Sequence, residues 1–294
     1  MTAAASATTL PNLLVIGAMR AGSTSLHQAL SEHPEIFMSQ PKELHFFVAE
    51  RNWRQGVPWY AQQFTKGAHK AVRGEASVTY TQSPQLAGVA GRAASVVPQA
   101  RLVYVVREPI ERMRSQYEHD VRRAVVGTPP AGWSRIGRYG SAGGALLGQP
   151  KYVDASSYAL QLDQWLEHYP AGRVCVITSE WLWQEPRAAM REVFGFLGVD
   201  TSWVPRNDVP HLNRATRFRT RPRAVGHPVL QGVARALPGT VKTRLRRREA
   251  LQPDLQDMVE ISPDVRAELQ SRLAVDVRRI RPYVRGPFDG WGIA

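Results

Sequence analysis

The stretch LLVIGAMRAGSTSL, residues 13–26, decides the fold. Four aliphatic residues run into Gly17, a short irregular stretch leads to Gly22, and the hydroxyl residues Ser23, Thr24 and Ser25 follow. An apolar run passing through a glycine turn into a segment with Leu26 and Leu30 on one face reads as buried strand, loop and helix. Such a turn presents backbone N–H groups and a helix N-terminus to an anion. Gly17, four residues, Gly22 and Thr24 fit the phosphate-loop pattern G-x-x-x-x-G-K-[ST], except that Ser23 occupies the lysine position. The loop's cation is Arg20, whose planar guanidinium suits tetrahedral oxyanions.

Outward from this loop the alternation continues. A second apolar run, ARLVYVVREP at 100–109, predicts another buried strand. Pro109 suits the first turn of the helix PIERMRSQYEHDVRR, where its missing N–H is not needed. A helix over 158–169, with Leu162, Trp165, Leu166 and Tyr169 inward, gives way to a strand at 173–178. A further helix, EPRAAMREVFGFLG, ends at Gly198, and a last one covers 263–281. This spacing predicts an α/β chain: a P-loop-like three-layer fold with a central, mostly parallel sheet flanked by helices. One domain spans 1–294, with 1–11 as a disordered tail, the Gly- and Pro-rich 124–151 as a flap near the site, and 205–250 as a basic irregular or helical segment.

With 43% hydrophobic residues, a chain of 294 residues buries a sizeable core, which argues against wholesale disorder. The single cysteine, Cys175, excludes an intrachain disulfide framework and any multi-cysteine metal site. Its place in the apolar run RVCVIT predicts a packed, inert thiol. The formal charge is +13, but 214–248 holds ten arginines, one lysine and no acid, so most of that charge is local. Three readings of the run stay open: a lid over an anionic ligand, a docking surface for an acidic acceptor or membrane, and a solvated arginine-rich helix. No stretch approaches the roughly 18 apolar residues that span a bilayer, and the first residues lack a basic leader region. A cytoplasmic location is therefore expected.

A nucleotide triphosphatase would also carry a strand-end aspartate for Mg²⁺, but RLVYVV ends in Arg107. A basic residue at that point predicts a second anion site, and so a ligand with two separated anionic groups and no metal.

These residues resemble the sulfotransferases that use 3′-phosphoadenylyl sulfate (PAPS), especially the branch containing the heparan sulfate sulfotransferases and their bacterial relatives. The resemblance is carried by four segments in order: GAMRAGSTSL, QPKELHFF at 40–47, GEASVTYTQSP, and REPIERMRSQY at 107–117. It runs from about residue 12 to 200 and returns weakly at the last helix and GPFDGW. It implies PAPS as donor, 3′-phosphoadenosine 5′-phosphate (PAP) as product, and no metal. The implied acceptor is a hydroxyl, less readily an amine, of a sugar, glycolipid or secondary metabolite.

By the same resemblance, Glu43 is the general base and Arg20 the cation on the sulfate and 5′-phosphate. Arg20, Ala21, Gly22, Ser23, Thr24 and Ser25 cradle the phosphosulfate, and Arg107 and Ser115 hold the 3′-phosphate. Lys42, His45, Glu75 and Ser77 fall on the acceptor side. Bland alternatives stand beside these roles: Glu43 as a solvated partner of Lys42, Arg107 as a surface ion pair with Glu111, Ser115 as a helix-face hydroxyl, and His45 as a turn cap. The relatives' lysine next to the glutamate of the third segment is Ala76 here. Two other functions remain: a Mg²⁺-dependent P-loop kinase, and a nucleic-acid-binding protein using 214–248. No nucleic acid partner is expected, because aromatic residues are not interleaved through that run, which holds Phe218 alone. Oligomeric state is left open.

Overall fold

The structure, a computed structural model, describes residues 9–125, 141–203 and 260–294. At its centre five parallel strands, β1 (Leu13–Gly17), β2 (Ile36–Met38), β3 (Val72–Ala76), β4 (Arg101–Val106) and β5 (Val174–Thr178), lie in the order β2-β3-β1-β4-β5. Around them are α1 (Ser23–Glu32), α2 (Gly56–Gln62), α3 (Val89–Val96), α4 (Pro109–Val125) and α5 (Ala142–Gly148). The remaining described helices are α6 (Pro150–Asp154), α7 (Tyr158–Leu166), α8 (Ser179–Gln184), α9 (Pro186–Leu197) and α10 (Pro263–Ile280).

Parallel strands are covered on both faces, so their sequences are continuous apolar runs rather than alternating ones. LLVIG and VCVIT are buried at every position. Because successive side chains point to opposite faces, Leu14 and Ile16 join one core with Leu102, Tyr104 and Val106. Leu13 and Val15 join the other, with Val103, Val105, Cys175 and Ile177. The first core is closed by α3 (Val89, Ala90, Ala93) and α7 (Tyr158, Leu162, Trp165), the second by α1 (Leu26, Leu30) and α9 (Met190, Val193, Phe194). Each fully buried large apolar side chain contributes about 1.5–3 kcal/mol, which is what fixes these helices on the sheet. A third cluster joins Ile110, Met113 and Tyr117 of α4 to Ala145 and Leu146 of α5 and to Leu269, Leu273 and Val277 of α10.

The helix ends follow their sequence signals. Gly198 takes φ +71° behind α9, and Ser262 caps α10 by accepting from Val265 N–H ahead of Pro263. Cys175 is fully buried, and burial pushes its thiol up to about 12, in keeping with a packing role. Among the described residues no helix is long and apolar enough to cross a membrane.

Two expectations are corrected. The stretch 141–151, read as flap, is largely helical: the Ser141 side chain caps α5 by accepting from Gly144 N–H, and Ala142, Ala145 and Leu146 are buried. Only 126–140 of that stretch lies outside the described residues. The N-terminal tail is anchored from residue 10 onward. Arg73 Nε donates to Leu10 O at 3.1 Å, and Asn12 exchanges bonds with Arg73 and Ala71. The basic run 214–248, with its lid, docking and nucleic-acid readings, lies outside the described residues.

Candidate active site

Parallel strands place their carboxyl ends along one edge, and ligands of such sheets bind there. Four of the predicted segments reach that edge: the loop 18–22 after β1, Ser39–Leu44 after β2, Ser77 after β3, and Arg107 after β4.

The first loop is shaped by its carbonyls. Ala18 O accepts from Ala21 N–H at 3.1 Å, Met19 O from Arg112 Nη1 at 3.2 Å and Arg20 O from Arg107 Nη1 at 3.4 Å. Ala21 O accepts from the Ser179 hydroxyl at the end of β5. Four successive carbonyls are thus tied back to the protein. In a planar trans peptide the next N–H points the opposite way, so the Arg20 amide points away from Arg112 and the Gly22 amide away from Ser179. Gly22, at φ +94°, caps α1 without a side chain, so the cap does not consume the first-turn donors. A Cβ at Gly22 would stand 3.3 Å from the Trp183 ring, a tight contact added to the strain of a side chain at this φ. Arg20 itself takes φ +68°, an uncommon conformation outside glycine. An anion nest of this kind needs no side-chain base.

Arg20, read from the sequence as the phosphosulfate cation, lies with Arg107 and Ser115. Arg20 Nε donates to Ser115 Oγ at 3.0 Å, and the Arg107 guanidinium sits 5.4 Å from the centre of the Trp183 ring. Glu111 is not the partner of Arg107; it pairs with Arg114 and Arg266, each at 2.7 Å. Behind this cluster lies Arg112, fully buried, whose bonds all go to neutral acceptors: Met19 O, Gln116 Oε1, Tyr152 O and Ser156 Oγ. Burial holds its pKa below the usual arginine range.

On the other side of the loop, Lys42 Nζ lies 3.3 Å from Ser23 Oγ and 3.1 Å from Glu43 Oε1. The Glu43 side chain is 33% exposed and therefore reachable from solvent. His45 Nε2 stands 3.4 Å from Glu43 Oε2, while its Nδ1 is 2.9 Å from Thr79 Oγ1. Burial, with Arg51 beside it, lowers the His45 pKa against the opposing pull of Glu43, so the ring is neutral at pH 7. The ring thus bridges Glu43 and Thr79.

Glu75 and Ser77 depart from expectation. Both are 0% exposed, so they stand behind the cleft wall and do not line it. Glu75 accepts from Tyr60 OH at 2.5 Å, Ser77 Oγ at 2.5 Å and Tyr80 OH at 2.8 Å, and also from the Leu44 backbone. Ser77 Oγ in turn accepts from His45 N–H at 2.9 Å. The network therefore anchors the two amides that follow Glu43. Its donors offset the burial that raises the Glu75 pKa. Phe46 and Phe47, also fully buried, stack around Tyr60 beneath the same loop.

A cavity of about 450 Å³ opens beside these groups, lined by Met19, Glu43, His45, Arg51, Thr79, Gln82, Gln85, Gln116, Asp120, Arg123 and Lys151, among others. Asp120 is occupied by Lys151 Nζ at 2.8 Å and Tyr152 OH at 3.0 Å. Sequence reasoning did not single out Arg112, Gln116, Lys151, Thr79 or Trp183. Arg112 and Gln116 lie inside REPIERMRSQY, where their spacing from Arg107 and Ser115 was a usable signal. Lys151 sits in the segment read as flap, and Trp183 between the strand at 173–178 and the helix EPRAAMREVFGFLG.

The family model described as "Sulfotransferase domain" matches residues 10–219. Among curated relatives, the chain is 29% identical over 202 residues to the human "Bifunctional heparan sulfate N-deacetylase/N-sulfotransferase 2", covering 65% of this chain and 22% of that protein. It is 27% identical over 224 residues to the Caenorhabditis briggsae "Bifunctional heparan sulfate N-deacetylase/N-sulfotransferase 1", covering 72% of this chain and 24% of that protein. The chain thus spans about a quarter of the length of these relatives. A solved sulfotransferase from Alicyclobacillus acidocaldarius superposes with a TM-score of 0.65 at 24% identity, over 96% of this chain and 98% of that one, a likeness of fold. With the phosphate-loop variant, the strand-end arginine and the matched model falling on the same residues, the chain belongs to the sulfotransferase-domain family.

Proposed function

We propose that this protein transfers a sulfuryl group from PAPS to a hydroxyl of a polar acceptor, with Glu43 as the general base. One observation carries the reading: the solvent-reachable Glu43 lines a cavity together with Met19 of the loop, and Lys42 joins Glu43 to Ser23 at the end of that loop. The residues fit the sulfuryl donor. Loop amides, the hydroxyls of Ser23, Thr24 and Ser25, and the Ala21–Gly22 backbone suit the phosphosulfate. Arg107, Ser115 and Arg20 form a second cationic cluster suited to a 3′-phosphate.

In-line transfer needs an aligned acceptor, removal of its proton and stabilisation of the charge that grows on the phosphate. Glu43 takes the acceptor proton as the new O–S bond forms, and the electron pair of the breaking S–O bond goes to the bridging oxygen. His45 and the Glu75 network hold Glu43 in place. The cavity favours a sugar over an apolar phenol or alkyl chain, because Arg51, Thr79, Gln82, Gln85, Gln116 and Lys151 line it and no Phe, Tyr or Trp does among the described residues.

The test is to incubate the purified chain with radiolabelled PAPS and a panel of acceptors: desulfated heparan oligosaccharides, chito-oligosaccharides, a simple phenol and a long-chain alcohol. Label entering a carbohydrate with release of PAP is expected. Transfer to none of them, with no binding of PAP, would refute the proposal.

A further inference from the structure

The phosphate-loop pattern asks for a lysine at position 23, and this chain has serine there. The structure returns a lysine to that point from a different strand end. Lys42, beyond β2, brings Nζ to 3.3 Å from Ser23 Oγ and 3.1 Å from Glu43 Oε1. Arg20, the cation inside the loop, donates its Nε to Ser115 on α4. We propose that Lys42, not Arg20, is the catalytic cation at the reacting end, and that its ammonium stabilises the bridging oxygen of the leaving phosphate. This rests on PAPS being the sulfuryl donor.

An ammonium is a compact charge with three donors, and Ser23 and Glu43 use two of Lys42's. Its side chain is 18% exposed, so solvent screens it only in part. The position between base and loop couples the two halves of the reaction. As the acceptor oxygen bonds to sulfur, its proton passes to Glu43, and the S–O electron pair passes to the bridging oxygen. Protonation neutralises Glu43 and loosens its hold on Lys42 while the bridging oxygen gains negative charge. Lys42 stays an ammonium throughout and shifts its hydrogen bond from carboxylate to phosphate. One proton is gained by the base and one negative charge by the leaving phosphate, so the step balances without a co-reactant. Arg20 is left with the nucleotide's other phosphate, where a fork-shaped cation is the better fit.

The experiment compares Lys42→Met, Lys42→Arg and Arg20→Met, using the carbohydrate that wild type sulfates fastest in the panel above. Lys42→Met should lower kcat by about 10²–10³-fold while acceptor KM and the Kd of PAP stay within about threefold. Lys42→Arg should regain at least about tenfold of that loss by restoring the charge. Arg20→Met should instead weaken PAP binding. A PAP-induced rise in Tm shows that each variant retains a folded site. A raised acceptor KM with kcat preserved in Lys42→Met would reduce Lys42 to acceptor binding, and a kcat collapse confined to Arg20→Met would reverse the assignment. If wild type transfers nothing from PAPS, the underlying reading falls. If wild type transfers and Lys42→Met is unimpaired, only this inference falls.

Discussion

Replacing Tyr60 by phenylalanine removes one hydroxyl from the network beneath the Glu43 loop and leaves the ring packing in place. The lost bond, Tyr60 OH to Glu75 Oε1, spans 2.5 Å between two fully buried groups. The ring keeps its stack on Phe46, 4.1 Å between centres and 7° from parallel. Oε1 keeps one donor, Tyr80 OH at 2.8 Å. A hydrogen bond to a charged group is worth about 1.5–3 kcal/mol net, so Tyr60→Phe should cost about 2 kcal/mol of stability. The cost should depend on pH. Burial sets the folded pKa of Glu75 above its unfolded value, so ionising it removes stability as pH rises through the folded value. Tyr60 limits that penalty by favouring the carboxylate, and its loss is therefore felt most at the higher pH. Urea denaturation of wild type and variant at acidic and mildly alkaline pH measures both effects. A difference below about 0.5 kcal/mol, within the range of ordinary surface changes, or a larger loss at the lower pH, would refute this account of the network.

Other perturbations probe the remaining parts. Arg107→Ala should weaken PAP far more than adenosine 5′-phosphosulfate, which lacks the 3′-phosphate; isothermal titration with both ligands checks it, and equal losses would misplace the site. Gly22→Ala forces a side chain to φ +94° against Trp183 and should cost about 1–2 kcal/mol in thermal unfolding as well as PAP affinity. His27 has its pKa lowered by burial, so the folded state resists protonation; its contribution is present above the unfolded value of 6.5 and is lost as pH falls through the folded value. Stability should therefore drop on acidification, with a shallower slope in His27→Gln, by at most about 1.4 kcal/mol per pH unit.

The strands nearest the loop were legible because parallel strands buried on both faces leave uninterrupted apolar runs, as in LLVIG and RLVYVV. β2 and β3 were not. β2 has three residues, too few for any period, and β3 is VRGEA, whose buried Glu75 is satisfied by Tyr60 and Tyr80 from outside the strand. The same bonding explains why Glu75 and Ser77 looked like cleft residues. Their place in the motif was readable, but which side of the wall they face depends on Tyr60 and Tyr80. Arg107 and Ser115 were readable as a pair because one motif spacing fixes a strand end and the helix that follows it, whereas the bond from Arg20 to Ser115 joins two separate segments. Lys42 was read as an acceptor-side residue, and its approach to Ser23 arises because the folded sheet brings the segments after β1 and β2 to the same edge.

The central claim is that Glu43 removes the acceptor proton beside a loop that binds the sulfuryl donor independently of it. The most direct measurement is transfer from PAPS by Glu43→Gln together with the Kd of PAP for the same variant. The account predicts transfer reduced by about 10²–10⁴-fold with PAP affinity nearly unchanged. Turnover close to wild type, or a loss of PAP binding matching the loss of turnover, would contradict it.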